Sequence, residues 1–287
     1  MSKETLLKAY QEALAAIDYD VRGKDEETIK EQMDLFSQVD PSLKPDVYGT
    51  GKVIESFEER MKELFNMPGA IFFPSGTMAQ QIAMRIHCDH KNLFKVAYHP
   101  LCHLEIHEND GLKTLHPVKS VLLGEKHRLI NIDDLESLED VAAVLLELPQ
   151  REIGGELPSW ESLCDIVAYL KERGIKVHLD GARIFECMPY YGKSYAEIGE
   201  LFDSIYISFY KGLGGVTGAV LMGEPDFLDE AKIWKRRYGG DLYHLYPYIL
   251  TAEYAFNKRE PLMNEFYEGA KEYASLLKEH ITPVAIF

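Results

Sequence analysis

Lys176-Val177-His178-Leu179-Asp180-Gly181-Ala182-Arg183 is a short, mostly apolar run that halts on a carboxylate, two small residues and a guanidinium. An aspartate at the end of a strand, followed by residues without bulk, is held rigidly toward whatever lies beyond the strand. Arg183 adds a planar fork of donors suited to a carboxylate or an oxyanion. A structural pairing of Asp180 with Arg183 would have the same letters.

Similar runs lie on both sides of it. Residues 70–73, 96–98, 120–123, 141–148, 175–179, 204–208 and 218–222 are short and apolar, and amphipathic stretches at 76–87, 158–173 and 225–237 fall between them. Strands apolar on both faces, separated by helices, predict an α/β fold with a mainly parallel sheet covered by helices. The flanks are helical by period at 6–17, 26–39 and 53–65, and again at 248–256 and 261–280. Three regions are therefore expected: an N-terminal helical segment at 1–46, a large α/β domain at 47–245, and a helical linker at 246–287 that begins a small C-terminal domain. The last seven residues, Ile281-Thr282-Pro283-Val284-Ala285-Ile286-Phe287, read as a first strand whose partners are missing.

Composition narrows the function. The 287 residues carry 31 Lys+Arg against 47 Asp+Glu, a net charge of −16, which argues against a sequence-independent grip on nucleic acid. Cys88, Cys102, Cys164 and Cys187 form no CxxC pair, so reduced thiols in a cytoplasmic protein are expected, without structural zinc. The first twenty residues bear Lys3, Glu4 and Lys8 and no apolar h-region. No stretch reaches the roughly 18–20 apolar residues of a membrane span.

Ligands of open α/β sheets sit beyond the carboxyl ends of the strands, and three more such ends carry reactive residues. Ser75-Gly76-Thr77 opens a helix after residues 71–73, where backbone N–H groups and hydroxyls can close on an anion at the positive end of the helix dipole. An ordinary serine cap with a permissive glycine reads the same way. Ser208-Phe209-Tyr210-Lys211-Gly212-Leu213-Gly214-Gly215 sets a lysine among aromatics and glycines, where desolvation lowers an amine's pKa and makes it a nucleophile. A solvated surface lysine is the alternative. In His99-Pro100-Leu101-Cys102-His103-Leu104-Glu105-Ile106-His107-Glu108, His103 and His107 share a helical spacing, but no third metal ligand accompanies them.

Taken together, SGT, DGAR and SxxKG, the lysine lying 31 residues beyond the aspartate, are far more specific than any one. Over residues 47–240 the chain resembles the pyridoxal 5′-phosphate (PLP) enzymes of fold type I, and within them the threonine aldolase and β-eliminating lyase family. The resemblance implies a three-layer αβα sandwich with PLP as cofactor. It implies that Lys211 forms the internal aldimine, that Asp180 pairs with the pyridine nitrogen, and that Ser75, Gly76 and Thr77 hold the phosphate with Ser208 as a further candidate. Arg183 would lie near the ring oxygen and bind the substrate carboxylate. His103 would lie on the cofactor face and help deprotonate the β-hydroxyl, and Glu147 matches the acidic residue of the second cofactor-side loop.

The expected reaction is cleavage of L-allo-threonine, L-threonine or a related β-hydroxy amino acid to glycine and an aldehyde. β-Elimination or another amino-acid transformation on PLP is the alternative, and a non-catalytic binding protein on the same fold is a third reading. The family implies a homodimer or homotetramer, with the loop at Tyr48 and Gly49 a candidate to cross between subunits. Where the family places Thr-His after its glutamate, this chain has Leu148-Pro149-Gln150-Arg151, and the glycine-rich segment at 238–244 has no arginine in register. The small C-terminal domain of the family is barely begun at Phe287, so the chain is expected to be a truncated version.

Overall fold

The computed structural model describes residues 5, 8, 9 and 28–278. The predicted helix at 6–17, apart from residues 8 and 9, and the predicted strand at 281–287 lie outside the described residues. The chain divides after Gln38 into two compact units. In the first, the helix Ile29–Asp34 starts on a capping box between Thr28 and Glu31 and tightens into a turn at Leu35–Gln38.

In the second unit the predicted strands pair into one sheet. They are β1 (Gly69–Phe73), β2 (Lys95–Tyr98), β3 (Lys119–Leu122), β4 (Ala143–Glu147), β5 (Lys176–Gly181), β6 (Ser204–Ser208) and β7 (Ala219–Gly223), in the order β1-β7-β6-β5-β4-β2-β3. β2 to β6 run parallel, whereas β7 lies antiparallel between β6 and β1. Residues 209–218 explain the reversal: they are fewer than the dozen or so that a parallel crossover needs.

Side chains alternate between two cores, one on each sheet face. Phe72, Val144, Leu146, Val177, Leu179, Ile205, Ile207, Val220 and Met222 pack with the helices Lys52–Phe65, Trp160–Glu172, Ile184–Tyr191 and Tyr246–Arg259. Ile71, Phe73, Leu145, Tyr206 and Leu221 pack with the helices Gly76–Lys91 and Pro225–Arg237. This is a three-layer αβα sandwich. The edge strand β1 is closed by side chains, since the Phe72 N–H donates to Glu58 Oε1 at 2.7 Å and Lys235 Nζ donates to the Phe72 carbonyl at 3.1 Å.

The helix predicted at 76–87 runs one turn further, to Lys91, and stops on Asn92 at φ +50°, a left-handed conformation that asparagine tolerates. Short helices at His103–Ile106, Gly111–Leu115, Asp133–Glu136, Ile184–Tyr191 and Tyr195–Leu201 were not expected. They are one or two turns long, and Pro189 interrupts the period of one of them.

Candidate active site

The carboxyl ends of β1, β4, β5 and β6 reach the same edge of the sheet, and the segments that follow them border a cleft open to solvent. Thr77, His103, Glu147, Asp180, Arg183 and Lys211 line it. Six residues proposed from five separate stretches of sequence thus meet in one place.

Asp180 is 2% exposed. Its Oδ2 accepts from Gln80 Nε2 at 2.8 Å and its Oδ1 from the Ala182 N–H at 3.1 Å. Burial pushes its carboxyl above the usual carboxylate range, against those two donors and the neighbouring His103. Glu147 is its in-register partner on β4. Burial, and then the charge of Asp180, push Glu147 up to about 8, although its Oε2 accepts from the His103 N–H at 3.3 Å.

His103 opens its helix with Nδ1 3.2 Å from Glu108 Oε1, and Glu108 Oε2 accepts from Gln81 Nε2 at 2.7 Å. A carboxylate oxygen accepts, so Nδ1 is the donor of this pair and Nε2 is the ring nitrogen left for another partner. The His107 ring lies tilted against His103, centroids 5.3 Å apart, but bonds Glu152 instead, at 2.9 Å.

Ser75 caps the helix Gly76–Lys91 by backbone conformation alone, its hydroxyl making no capping bond. The Gly76 N–H of that first turn bonds Tyr210, and Thr77 lines the cleft, whereas Ser75 and Gly76 are not among the lining residues. Gly76 is required by close approach, because a Cβ there would lie 2.0 Å from Tyr206 Oη.

Lys211 sits in the turn after β6. Gly214, at φ +80°, donates to the Lys211 carbonyl at 3.1 Å, and Thr217 Oγ1 ties the turn to the Pro74 carbonyl at 2.8 Å. The Lys211 ammonium lies 5.0 Å from the Tyr210 ring centroid. Arg183 begins the helix Ile184–Tyr191 with its guanidinium 3.6 Å from Glu186 Oε1. Ser208 is placed differently: it is 1% exposed and donates its hydroxyl to the Ala182 carbonyl at 2.9 Å, tying β6 to the DGAR turn from beneath.

Sequence reasoning passed over Gln80, Tyr206, Tyr210, Pro149 and Arg151, all of which line the cleft. For Gln80 a signal existed: Gln80 and Gln81 are polar residues on an otherwise apolar, fully packed stretch of helix. Pro149 and Arg151 belong to the run Leu148-Pro149-Gln150-Arg151 that follows Glu147 where the family pattern has Thr-His.

Residues 37–285 match the family model for beta-eliminating lyases. A candidate L-allo-threonine aldolase from Listeria monocytogenes is 52% identical over 96% of this chain and 76% of its own, with a TM-score of 0.91. A candidate aromatic amino acid beta-eliminating lyase/threonine aldolase from Exiguobacterium is 52% identical over 91% of this chain and 75% of its own, with a TM-score of 0.88. The low-specificity L-threonine aldolase 1 of Arabidopsis thaliana is 28% identical over 82% of this chain and 68% of its own length.

Proposed function

Since the chain belongs to the beta-eliminating lyase family, we propose that it cleaves L-allo-threonine, L-threonine or a related β-hydroxy amino acid to glycine and an aldehyde. The family implies PLP as cofactor, and the donor set of the cleft fits it. An amine, a buried carboxylate and a helix N-terminus face one cleft, and Gln80 Oε1 in its wall is buried without a hydrogen-bond partner. When bound, PLP supplies an aldehyde that condenses with amines and a ring that accepts the electron pair left on Cα as Cα–Cβ breaks.

The chain's own residues would then act as follows. Lys211 supplies the amine that holds the cofactor and that an incoming amino acid displaces. Asp180, with a donor on each oxygen, stands as an anion for the ring N–H. Ser75, Gly76 and Thr77 bind the phosphate through backbone N–H groups and hydroxyls. Arg183 takes the substrate carboxylate through its fork. His103, its Nδ1 hydrogen committed to Glu108, presents Nε2 as the base for the β-hydroxyl proton.

The observation that carries this reading is the convergence of Lys211, Asp180, Arg183 and His103 on one cleft. One feature favours a second reading, β-elimination: Glu147, raised to about 8, holds a proton at neutral pH and can donate it to a leaving group at Cβ. The two are separated by giving the PLP-loaded protein L-allo-threonine and coupling any acetaldehyde to a dehydrogenase. Hydrogen sulfide from cysteine or pyruvate from serine, with no aldehyde, would establish the lyase. Loading that yields no borohydride-reducible chromophore would refute both.

The proposal includes a homodimer or homotetramer. Val47, Tyr48 and Tyr243 are exposed, with Tyr48 and Tyr243 in edge contact at 5.3 Å, and they support an interface at that loop. A fully active monomer in sedimentation would contradict it.

A further inference from the structure

A buried carboxylate, Asp180, and a half-buried one, Glu147, stand side by side on β5 and β4 and line the cleft. Like charges at that separation and depth disfavour each other, so the site is most stable with one of the two ionised. The hydrogen bonds around them are unequal. Asp180 has an N–H donor on each oxygen, at 2.8 and 3.1 Å. Glu147 has only backbone donors, the His103 N–H at a longer 3.3 Å and the Arg151 N–H, and no side-chain donor.

Of the two donors on Asp180, the Ala182 N–H belongs to the turn itself and any aspartate there would receive it. The other comes from Gln80, one hundred residues away in sequence, on the helix Gly76–Lys91. Gln80 is 2% exposed, and its Oε1 has no hydrogen-bond partner. Leaving that oxygen unsatisfied is unfavourable, and the amide bears it in the orientation that aims Nε2 at Asp180. A protonated Asp180 would call for the reverse amide orientation, with Oε1 accepting.

We propose that Gln80 is the positioning residue that makes Asp180, and not Glu147, the ionised carboxylate of the cleft. The inference rests on the PLP reading and deepens it. An anionic Asp180 keeps the ring nitrogen protonated, and a protonated ring nitrogen makes the cofactor a stronger electron acceptor. The other titratable groups facing Asp180 are Cys102 and His103 (backed by Glu108) after β2, Tyr206 on β6 and Tyr210 beyond it, with Arg183 and Lys211 on the same cleft.

The test is a pH titration of the visible absorption band of the holoenzyme, alongside cofactor retention on dialysis. Gln80→Met preserves side-chain length and removes the donor. The band's midpoint should move by about one pH unit or more, the scale of one hydrogen bond to a charged group, and cofactor should be lost faster. Adding Glu147→Gln to Gln80→Met removes the competing acid and should return the midpoint toward that of the unaltered protein, which a merely structural role for Gln80 would not produce. If Gln80→Met does not fold, Gln80→Asn, which retracts the amide by one methylene, carries the same expectation. Unchanged midpoints in the Gln80 variant, or a shift that Glu147→Gln leaves in place, would overturn the proposal. An unaltered protein that gains no visible band on loading with PLP would instead sink the PLP reading on which it rests.

Discussion

Gly76→Ala is the most demanding test of how the helix Gly76–Lys91, proposed to hold the phosphate, is seated. The new Cβ would lie 2.0 Å from Tyr206 Oη, 2.5 Å from Cζ and 2.8 Å from Cε2, whereas ordinary carbon contacts begin at about 3.5 Å. The two must separate by more than an ångström. Tyr206 cannot supply that movement by swinging outward, because it is 2% exposed on the interior strand β6 and belongs to a packed core. The helix start must move instead, and with it the Ser75 cap and the first-turn N–H groups. Overpacking of this kind costs about 1–3 kcal/mol, which for a chain of this size lowers Tm by roughly 2–10 °C. PLP affinity should fall by at least about tenfold, since the displaced groups are those proposed to hold the phosphate. Thermal unfolding with and without added PLP reads both quantities, and the gap between the variant and the unaltered protein should widen with the cofactor present. Unfolding at the unaltered temperature, with unchanged cofactor binding, would show that the helix start does not rest on Tyr206. Gly212→Ala is the internal comparison: there the clash, at 2.1 Å, is with Glu186 Oε1, the far end of a flexible side chain, and the loss of stability should be smaller.

Ser204→Ala should destabilise the fold by about 2 kcal/mol, measured by chemical denaturation, because Ser204 Oγ lies 2.7 Å from both His87 Nε2 and His178 Nδ1, all three residues being buried. A loss below about 0.5 kcal/mol would count against that network. Burial raises Glu58 to about 7 from the ordinary 4.5, so the folded state holds this proton more tightly than the unfolded one, and the stability it contributes is lost as pH rises from 4.5 through about 7. Glu58→Gln keeps an acceptor for the Phe72 N–H, and in urea unfolding its stability relative to the unaltered protein should rise between pH 5 and pH 8; a constant difference would refute the linkage. Lys211→Ala should abolish the borohydride-reducible chromophore, and a chromophore that survives reassigns the reactive amine.

The parts of the site that could be read in the sequence are those whose chemistry is local. An aspartate after Val177-His178-Leu179, a lysine among glycines after Ser208, and Ser-Gly-Thr opening a helix each announce themselves within a few residues, because strand ends, turns and caps have local requirements. Gln80, Tyr206 and Ser208 take their meaning from partners that only the fold brings near. Gln80 is polar on a buried helix face because Asp180 lies opposite it, one hundred residues on. Tyr206 reads as one more strand aromatic until its ring is found against Gly76. Ser208 reads as an anion ligand, as any serine before such a lysine would, but β6 directs its hydroxyl to the Ala182 carbonyl. The reversal of β7 was in principle legible, since a linker as short as residues 209–218 leaves no room for a crossover helix. That reversal also forces Lys211 into a tight turn at the carboxyl edge of the sheet, where Thr217 fastens it to the segment before Ser75. The constraint that makes the strand antiparallel is therefore the same one that brings the lysine to the start of the helix Gly76–Lys91.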